Sequence, residues 1–217
     1  VTKYPNHADL YALLTSKIYQ PLLSTNSALS IPPTVMIPVS RFWHSPTTAL
    51  GQCFENINDF EGVVKIGGSW MGDGVRAFRS VCDFIAKSQS LLEQGGIIDS
   101  LIVQKKISVL CEPRVFLFNG EIKNIRYTWN EKTDPVSGRI HALRTCPQDR
   151  AAKELFEGNI TVQESVEARM TELVNEWKNW LVTVTGETPV FVRIDFLVDK
   201  EFNVWTCELG EMGSSMV

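Results

Sequence analysis

The sequence lacks the cysteine and histidine patterns that mark zinc cages, redox centres and disulfide frameworks. Its five cysteines are scattered, and none belongs to a Cys-x-x-Cys pair. They are Cys53, Cys82, Cys111, Cys146 and Cys207. The three histidines are equally isolated, so each is interpreted as an ordinary surface or half-buried residue. A reducing environment suits this cysteine usage best.

The sequence also lacks a block of basic residues and long hydrophobic runs. The formal net charge is −4 without a basic block, which predicts no nucleic-acid partner. No apolar run approaches the ~20 residues of a membrane span, so no membrane association is predicted. The N-terminal segment VTKYPNHADLY shows no signal-peptide pattern, and a cytoplasmic location is expected.

What is present is a globular composition arranged in alternating elements. The chain has 217 residues, of which 44% are hydrophobic, enough for one large domain or two small lobes. Periodicity predicts helices at 9–23 and 76–94, and strands at 34–39, 62–66 and 100–107.

The second half of the chain is richer in strand signals. Asn119-Gly120 predicts a tight hairpin between strands at 113–118 and 121–129. The polar stretch 130–150 is interpreted as a loop. A capping box at Thr161–Glu164 predicts a helix to about Leu181, and two strands joined by a turn follow, at 189–198 and 202–209. Together these elements predict an α+β fold with two lobes.

The segment VVKIGGSWMGDGV, residues 63–75, joins a strand lysine to a glycine-rich loop. It is not a P-loop, because Asp73-Gly74 stand where Lys-Ser/Thr would be required. It lacks the dinucleotide fingerprint, and the order of lysine and glycines is the reverse of that in protein kinases. Two interpretations remain open: Lys65 with a glycine flap over phosphates, or an exposed hairpin with a surface lysine.

Two acidic residues of the C-terminal segment RIDFLVDKEFNVWTCELGE are candidates for a metal site. Asp195 and Glu208 lie on adjacent predicted strands, and both are flanked by apolar residues. Because strand side chains alternate, the two carboxylates can project from one face and bind magnesium. The alternative is a solvated acidic face. Arg193 shares the face of Asp195, so it either reaches phosphates or pairs with Asp195.

These segments, in this order, resemble the ATP-grasp superfamily over about Tyr11 to Glu211. LLTSKIYQPLLSTNSALSIPPTV is similar to the family's lysine-bearing helix and following strand, and VVKIGGSWMGDGV to its strand lysine and flap. LIVQKKI is similar to the hinge strand, EPRVFLFNGEI to the start of the second lobe, and RIDFLVDKEFNVWTCEL to the metal-binding hairpin. The resemblance implies an ATP-grasp fold, with two α+β lobes that grip a nucleotide, at 1–107 and 108–217.

The resemblance also implies roles for individual residues. Lys65 and Arg193 would be catalytic, with Lys65 on the α- and β-phosphates. Asp195, Glu208 and Glu211 would bind magnesium. The residues that would bind ATP are Lys17, Lys65, Gly67, Gly68, Ser69 and Gly72 at the phosphates, Gln104, Lys105 and Ile107 beside adenine, and Glu112 at the ribose.

Two departures from the family pattern affect the expected function. Gly210 stands where many members have a metal-binding asparagine, and Gln104 where an acidic residue is common.

The implied function is a ligase that activates a small-molecule or peptide carboxylate as an acylphosphate for attack by an amine. The alternative is a nucleotide-binding regulatory or assembly protein without ligase activity. The terminal GSSM is similar to synapsin, an ATP-grasp protein with a regulatory role. The oligomeric state is left open.

Overall fold

The computed structural model describes residue 6 and residues 8–52, 54, 60–67, 74–94, 98–133 and 140–210. Two compact units account for these residues. The N-terminal unit comprises Thr15–Thr25 and Pro32–Lys106. The C-terminal unit comprises the described parts of Val1–Leu14, Asn26–Ile31 and Ile107–Val217. The division into lobes 1–107 and 108–217 stays a prediction.

The N-terminal unit is built on a four-stranded antiparallel sheet. Its strands are β1 (Thr34–Pro38), β2 (Gly62–Lys65), β3 (Val75–Phe78) and β4 (Ser100–Lys105). They are ordered β1-β4-β2-β3 across the sheet. Helix α1 (Ala8–Ser16) begins in the C-terminal unit and leads into this one. The helices that follow are α2 (Tyr19–Leu23), α3 (Val39–His44), α4 (Pro46–Gly51) and α5 (Val81–Leu92).

One face of this sheet forms the core with α3, α4 and α5. Val64, Leu101 and Val103 of the strands are fully buried there, together with Phe42 and Phe84 of the helices. Because side chains alternate along a strand, Lys65 and Gln104 project from the opposite face. The polar side chains of Lys65 and Gln104 therefore lie on the face opposite the core.

Two predicted helices of the N-terminal unit are wrong in part. The helix predicted at 9–23 is broken at Lys17, whose φ of 57° is left-handed and cannot continue a right-handed helix. The helix predicted from residue 76 begins only after Ser80, whose side chain accepts the N–H of Asp83 at 3.1 Å. The preceding residues, Val75–Phe78, pair with β2 instead. The strands predicted at 34–39, 62–66 and 100–107 are confirmed with small shifts in their ends.

The C-terminal unit is built on a five-stranded antiparallel sheet. Its strands are β5 (Val109–Phe118), β6 (Glu121–Thr133), β7 (Ile140–Pro147), β8 (Phe191–Asp199) and β9 (Val204–Gly210). They are ordered β7-β6-β5-β8-β9 across the sheet. The helices are α6 (Ala151–Leu155) and α7 (Ile160–Thr185). The Asn119-Gly120 hairpin is confirmed, with φ of 50° and 74° at the two turn residues.

Helix α7 supplies one side of this unit's core. Its buried residues include Leu173, Val174 and Trp177, and the Trp177 indole donates to Thr206 Oγ1 of β9 at 3.0 Å. The sheet contributes Val115 and Ile194, both fully buried. The charged residues of β5 and β8 alternate with these apolar ones, so they project from the face that α7 leaves free.

Two predictions for the C-terminal unit are wrong. The stretch 130–150 is not a loop, because β6 continues to Thr133 and Ile140–Pro147 forms β7. Helix α7 is capped by Asn159, which accepts the N–H of Val162 at 3.2 Å, and not by a box starting at Thr161. The α+β fold class itself is confirmed. Among the described residues, no helix combines the length and apolar character that crossing a membrane requires.

Candidate functional site

The C-terminal hairpin brings the two predicted metal carboxylates directly opposite each other. Asp195 of β8 pairs in register with Glu208 of β9. The pairing depends on a bulge, because Phe196 is opposite Thr206 and Cys207 is the extra residue before Glu208. Without that bulge the residue opposite Asp195 would be Cys207. The prediction that both carboxylates share a face of the hairpin is confirmed.

Arg193 pairs with Asp195 through a two-pronged ion pair. Its Nε donates to Oδ1 and its Nη2 to Oδ2, both at 2.7 Å. The same Nη2 lies 3.9 Å from Glu208 Oε1. The predicted pairing of Arg193 with Asp195 is observed, and a contact of Arg193 with phosphates stays a prediction. Glu208 also lies close enough to interact with the guanidinium charge.

Burial controls the electrostatics of this pair. Asp195 is 1% exposed and Arg193 is 5% exposed. Burial raises the pKa of Asp195 to about 7, although the Arg193 guanidinium pulls it down. A second cation bound beside this carboxylate would favour its ionised form and lower its pKa.

Strand β5 adds a second ion pair to the same face. Arg114 is opposite Asp195 in the sheet, and its Nη2 lies 3.0 Å from Glu112 Oε1. Glu112, predicted to hold the ribose, therefore has one oxygen already engaged. Sequence analysis missed Arg114, although its spacing of two from Glu112 predicts a shared strand face.

The donor set suits magnesium in its chemistry. Mg²⁺ is usually held by one or two protein carboxylates, with phosphate and water oxygens completing the octahedron. Asp195 and Glu208 supply two carboxylates, and Gly210 supplies no side chain. Among the described residues, no group of three or more histidine, cysteine, aspartate or glutamate residues could hold a metal ion without other ligands. Glu211 lies outside the described residues.

Lys65 lies in a buried polar cluster of the N-terminal unit. It is 6% exposed, and its ammonium donates to Gln104 Oε1 at 2.8 Å and to Gln20 Oε1 at 3.4 Å. The interpretation of Lys65 as an exposed surface lysine is therefore wrong. Gln20 was missed, since its helix carries no motif that marks it.

Lys17 directly follows the end of α1, and Gly67 lies two residues after the end of β2. Lys17 is 8% exposed and left-handed. A Cβ on Gly67 would lie 2.6 Å from the backbone oxygen of Ser16, so only glycine allows this close approach. The break in the helix thus packs directly against the first residue of the glycine segment. Gly68, Ser69 and Gly72 lie outside the described residues.

The residues of the predicted hinge strand belong to different compact units. Gln104 is 3% exposed, whereas the Lys105 side chain is exposed and its N–H donates to Pro33 O at 2.8 Å. Ile107 is half-buried and belongs to the C-terminal unit with Glu112, Arg193, Asp195 and Glu208. The adenine-contacting roles of Gln104, Lys105 and Ile107 stay predictions.

A separate cavity of about 770 Å³ lies in the C-terminal unit and contains none of the predicted residues. Its lining includes Gln148, Gln163 and Glu167. The Glu167 carboxylate already accepts hydrogen bonds from Tyr127, Gln148 and Gln163. Because these groups satisfy each other, they do not themselves point to a ligand in the cavity.

No protein-family model matches the sequence, and no curated protein matches it. Solved structures do match. D-cycloserine synthetase aligns over 99% of this chain, at 15% identity and a TM-score of 0.64. D-alanine–D-alanine ligase from Bacillus anthracis aligns over 91% of this chain, at 14% identity and a TM-score of 0.58. N5-carboxyaminoimidazole synthetase from Staphylococcus aureus, complexed with ADP, aligns over 98% of this chain, at 12% identity and a TM-score of 0.58.

The aligned region spans 67%, 56% and 49% of these three proteins, respectively. At identities of 12 to 15%, the likeness concerns the fold and not the reaction. The three proteins are ATP-grasp ligases, and they share with this chain two antiparallel sheets flanked by helices. This chain has the ATP-grasp fold.

Proposed function

We propose that this protein binds ATP with magnesium and uses it to activate a carboxylate for attack by an amine. The observation that carries the proposal is the paired set Arg193, Asp195 and Glu208 on one sheet face of an ATP-grasp fold. A solved structure with the same fold is complexed with ADP, and others are named ligases or synthetases. These likenesses support the reaction class.

Each residue has a task that its chemistry suits. Lys65 would neutralise charge on the α- and β-phosphates, with Lys17 as a second phosphate contact. Magnesium would neutralise the transferring phosphoryl group when held by Asp195 and Glu208. Arg193, already oriented by Asp195, would stabilise the charge that develops on the phosphoryl group and its acceptor.

The proposed reaction has two steps. A carboxylate oxygen of the substrate attacks the γ-phosphorus, the bond to the β-phosphate oxygen breaks, and ADP leaves with an acylphosphate remaining. An amine then attacks the acyl carbon, and phosphate and a proton are released as the amide forms. The protein's residues bind, orient and neutralise charge, and no protein nucleophile is needed.

The first test is direct. Calorimetry should show ATP binding that strengthens with magnesium, and an absence of binding in both conditions would reject the proposal. Lys65→Met should weaken ATP binding about tenfold, since a charge-assisted contact contributes roughly 1.5–3 kcal/mol. Lys87→Met is the matched control, because Lys87 lies on α5, which packs against the core face of the same sheet.

A second candidate function has one observation in its favour. Gly210, opposite Arg193, brings no side chain to a position where many family members have a metal ligand. A protein that binds nucleotide for regulation or assembly would tolerate this loss better than a ligase would. Steady-state ADP release with candidate carboxylates and amines separates the two. Acid-dependent ADP release supports the ligase, and ATP binding without turnover supports the regulatory protein.

A further inference from the structure

A chain of three hydrogen bonds leads from the backbone of the N-terminal unit to the Lys65 ammonium. Thr34 Oγ1 lies 2.6 Å from Pro32 O and donates to it. Gln104 Nε2 donates to Thr34 Oγ1 at 2.7 Å, and Lys65 Nζ donates to Gln104 Oε1 at 2.8 Å. The three side chains belong to residues that are 4%, 3% and 6% exposed, so water does not compete freely for these bonds.

Donor and acceptor chemistry fixes the direction of this chain. A hydroxyl has one proton, and a backbone carbonyl can only accept, so Thr34 gives its proton to Pro32. Thr34 must then accept from Gln104, which turns the amide NH₂ toward Thr34. The amide oxygen therefore faces Lys65, and the ammonium has a defined acceptor.

The sheet register places the three residues for this arrangement. Thr34 is directly opposite Gln104 across β1 and β4. Lys65 is opposite Ile102, which makes Gln104 its diagonal neighbour on the same face. The backbone beside Pro32 is itself held in the sheet, because the N–H of Lys105 donates to the adjacent Pro33 O at 2.8 Å.

We propose that Thr34 and Gln104 are positioning residues that hold Lys65 for phosphate binding. The proposal rests on the proposed ATP-binding function and assigns Gln104 a role through Lys65 and not through the base. An amide oxygen orients the ammonium without neutralising it, whereas a carboxylate at the same place would cancel its charge. Gln104 thus orients Lys65 without cancelling its charge.

A double-mutant cycle on ATP affinity tests this inference. Thr34→Val keeps the shape of the side chain and removes the end of the chain, so ATP affinity should fall about fivefold. Thr34→Ser, which keeps the hydroxyl, should bind ATP with the affinity of the parent protein. In a Lys65→Met background, Thr34→Val should have no further effect, because Thr34 acts only through the ammonium.

The possible results separate the inference from the proposed function. If the parent protein binds no ATP, the proposed function fails and this inference fails with it. If the parent binds ATP but Thr34→Val weakens binding equally with and without Lys65, the residue has a general structural role and the inference is wrong.

A second variant keeps the inference testable if Thr34→Val does not fold. Gln104→Met then takes its place in the cycle, and it should weaken ATP binding in the parent protein but not in the Lys65→Met background. If Gln104 contacts the base instead, Gln104→Met should weaken ATP binding in both backgrounds. That result would overturn the inference and leave the proposed function standing.

Discussion

Lys17 adopts a backbone conformation that lysine rarely takes. Its φ of 57° lies in the left-handed region, where a side chain with a Cβ costs about 1 kcal/mol. It is nonetheless 8% exposed and adjoins Ser16, whose carbonyl touches Gly67. Backbone strain tends to persist at binding sites, so the strained position of Lys17 beside a glycine segment supports its proposed contact with phosphate.

Lys17→Gly separates the backbone of this residue from its charge. Glycine accepts a positive φ without strain but gains more freedom in the unfolded chain, so the free energy of unfolding should change by less than about 1 kcal/mol. ATP affinity should fall about fivefold or more if the ammonium contacts phosphate. Thermal unfolding and calorimetry measure the two effects.

The chain offers a matched control for this substitution. Glu157 has a φ of 54° and lies in the turn after α6, in the C-terminal unit. Glu157→Gly should have a similarly small effect on stability and none on ATP affinity. Equal ATP affinity in Lys17→Gly and the parent protein would remove Lys17 from the proposed site.

At the scale of elements, strand alternation was predictable from the sequence and strand register was not. Alternation correctly placed Asp195 and Glu208 on one face. The bulge at Cys207 sets which residues are opposite each other, and no residue type marks it in advance. The strand β7 was missed because it lies within the polar stretch 130–150 and at the edge of the sheet, where it has only one neighbouring strand.

Hydrogen bonds between side chains were the least predictable part of the candidate site. The pairing of Asp195 with Arg193, two residues away, was among the interpretations of the sequence, but the partners of Lys65 come from distant segments. Gln20 is 45 residues from Lys65, and Gln104 is 39 residues away. A single sequence contains no signal for such pairs, because they depend on how the strands are ordered in the sheet.

Burial predicts which cysteines react. Cys111 of β5 is fully buried, and burial raises the pKa of its thiol to about 12. Cys82 of α5 is exposed. Because the thiolate is the reactive form, an alkylating reagent at about pH 8 should modify Cys82 and leave Cys111 unmodified in the folded protein.

Mass spectrometry of the digested protein identifies the modified cysteines. In denaturant, where the burial that raises its pKa is lost, Cys111 should react as fast as Cys82. Comparable labelling of both residues in native buffer would show that β5 opens on the time scale of the reaction, contrary to the buried position of Cys111.

At the scale of the whole molecule, the residues proposed for ATP belong to both compact units. Lys17, Lys65 and Gln104 lie in the N-terminal unit, whereas Glu112, Arg193, Asp195 and Glu208 lie in the C-terminal unit. Under the proposed function, ATP binding should therefore stabilise each unit by mass action. Nucleotide binding can therefore be followed separately in each sheet.

Amide hydrogen exchange should detect that joint stabilisation. With magnesium and ATP at about ten times the dissociation constant, amides that exchange through unfolding should slow about tenfold. The slowing should appear in β2 and β4 of one sheet and in β8 and β9 of the other. Removing magnesium with a chelator should reduce it most in β8 and β9, where Asp195 and Glu208 lie. Glu208→Gln should reduce the effect of the chelator, because one magnesium carboxylate is already missing. Protection confined to one sheet would mean that the nucleotide contacts one unit only, which contradicts the proposed site.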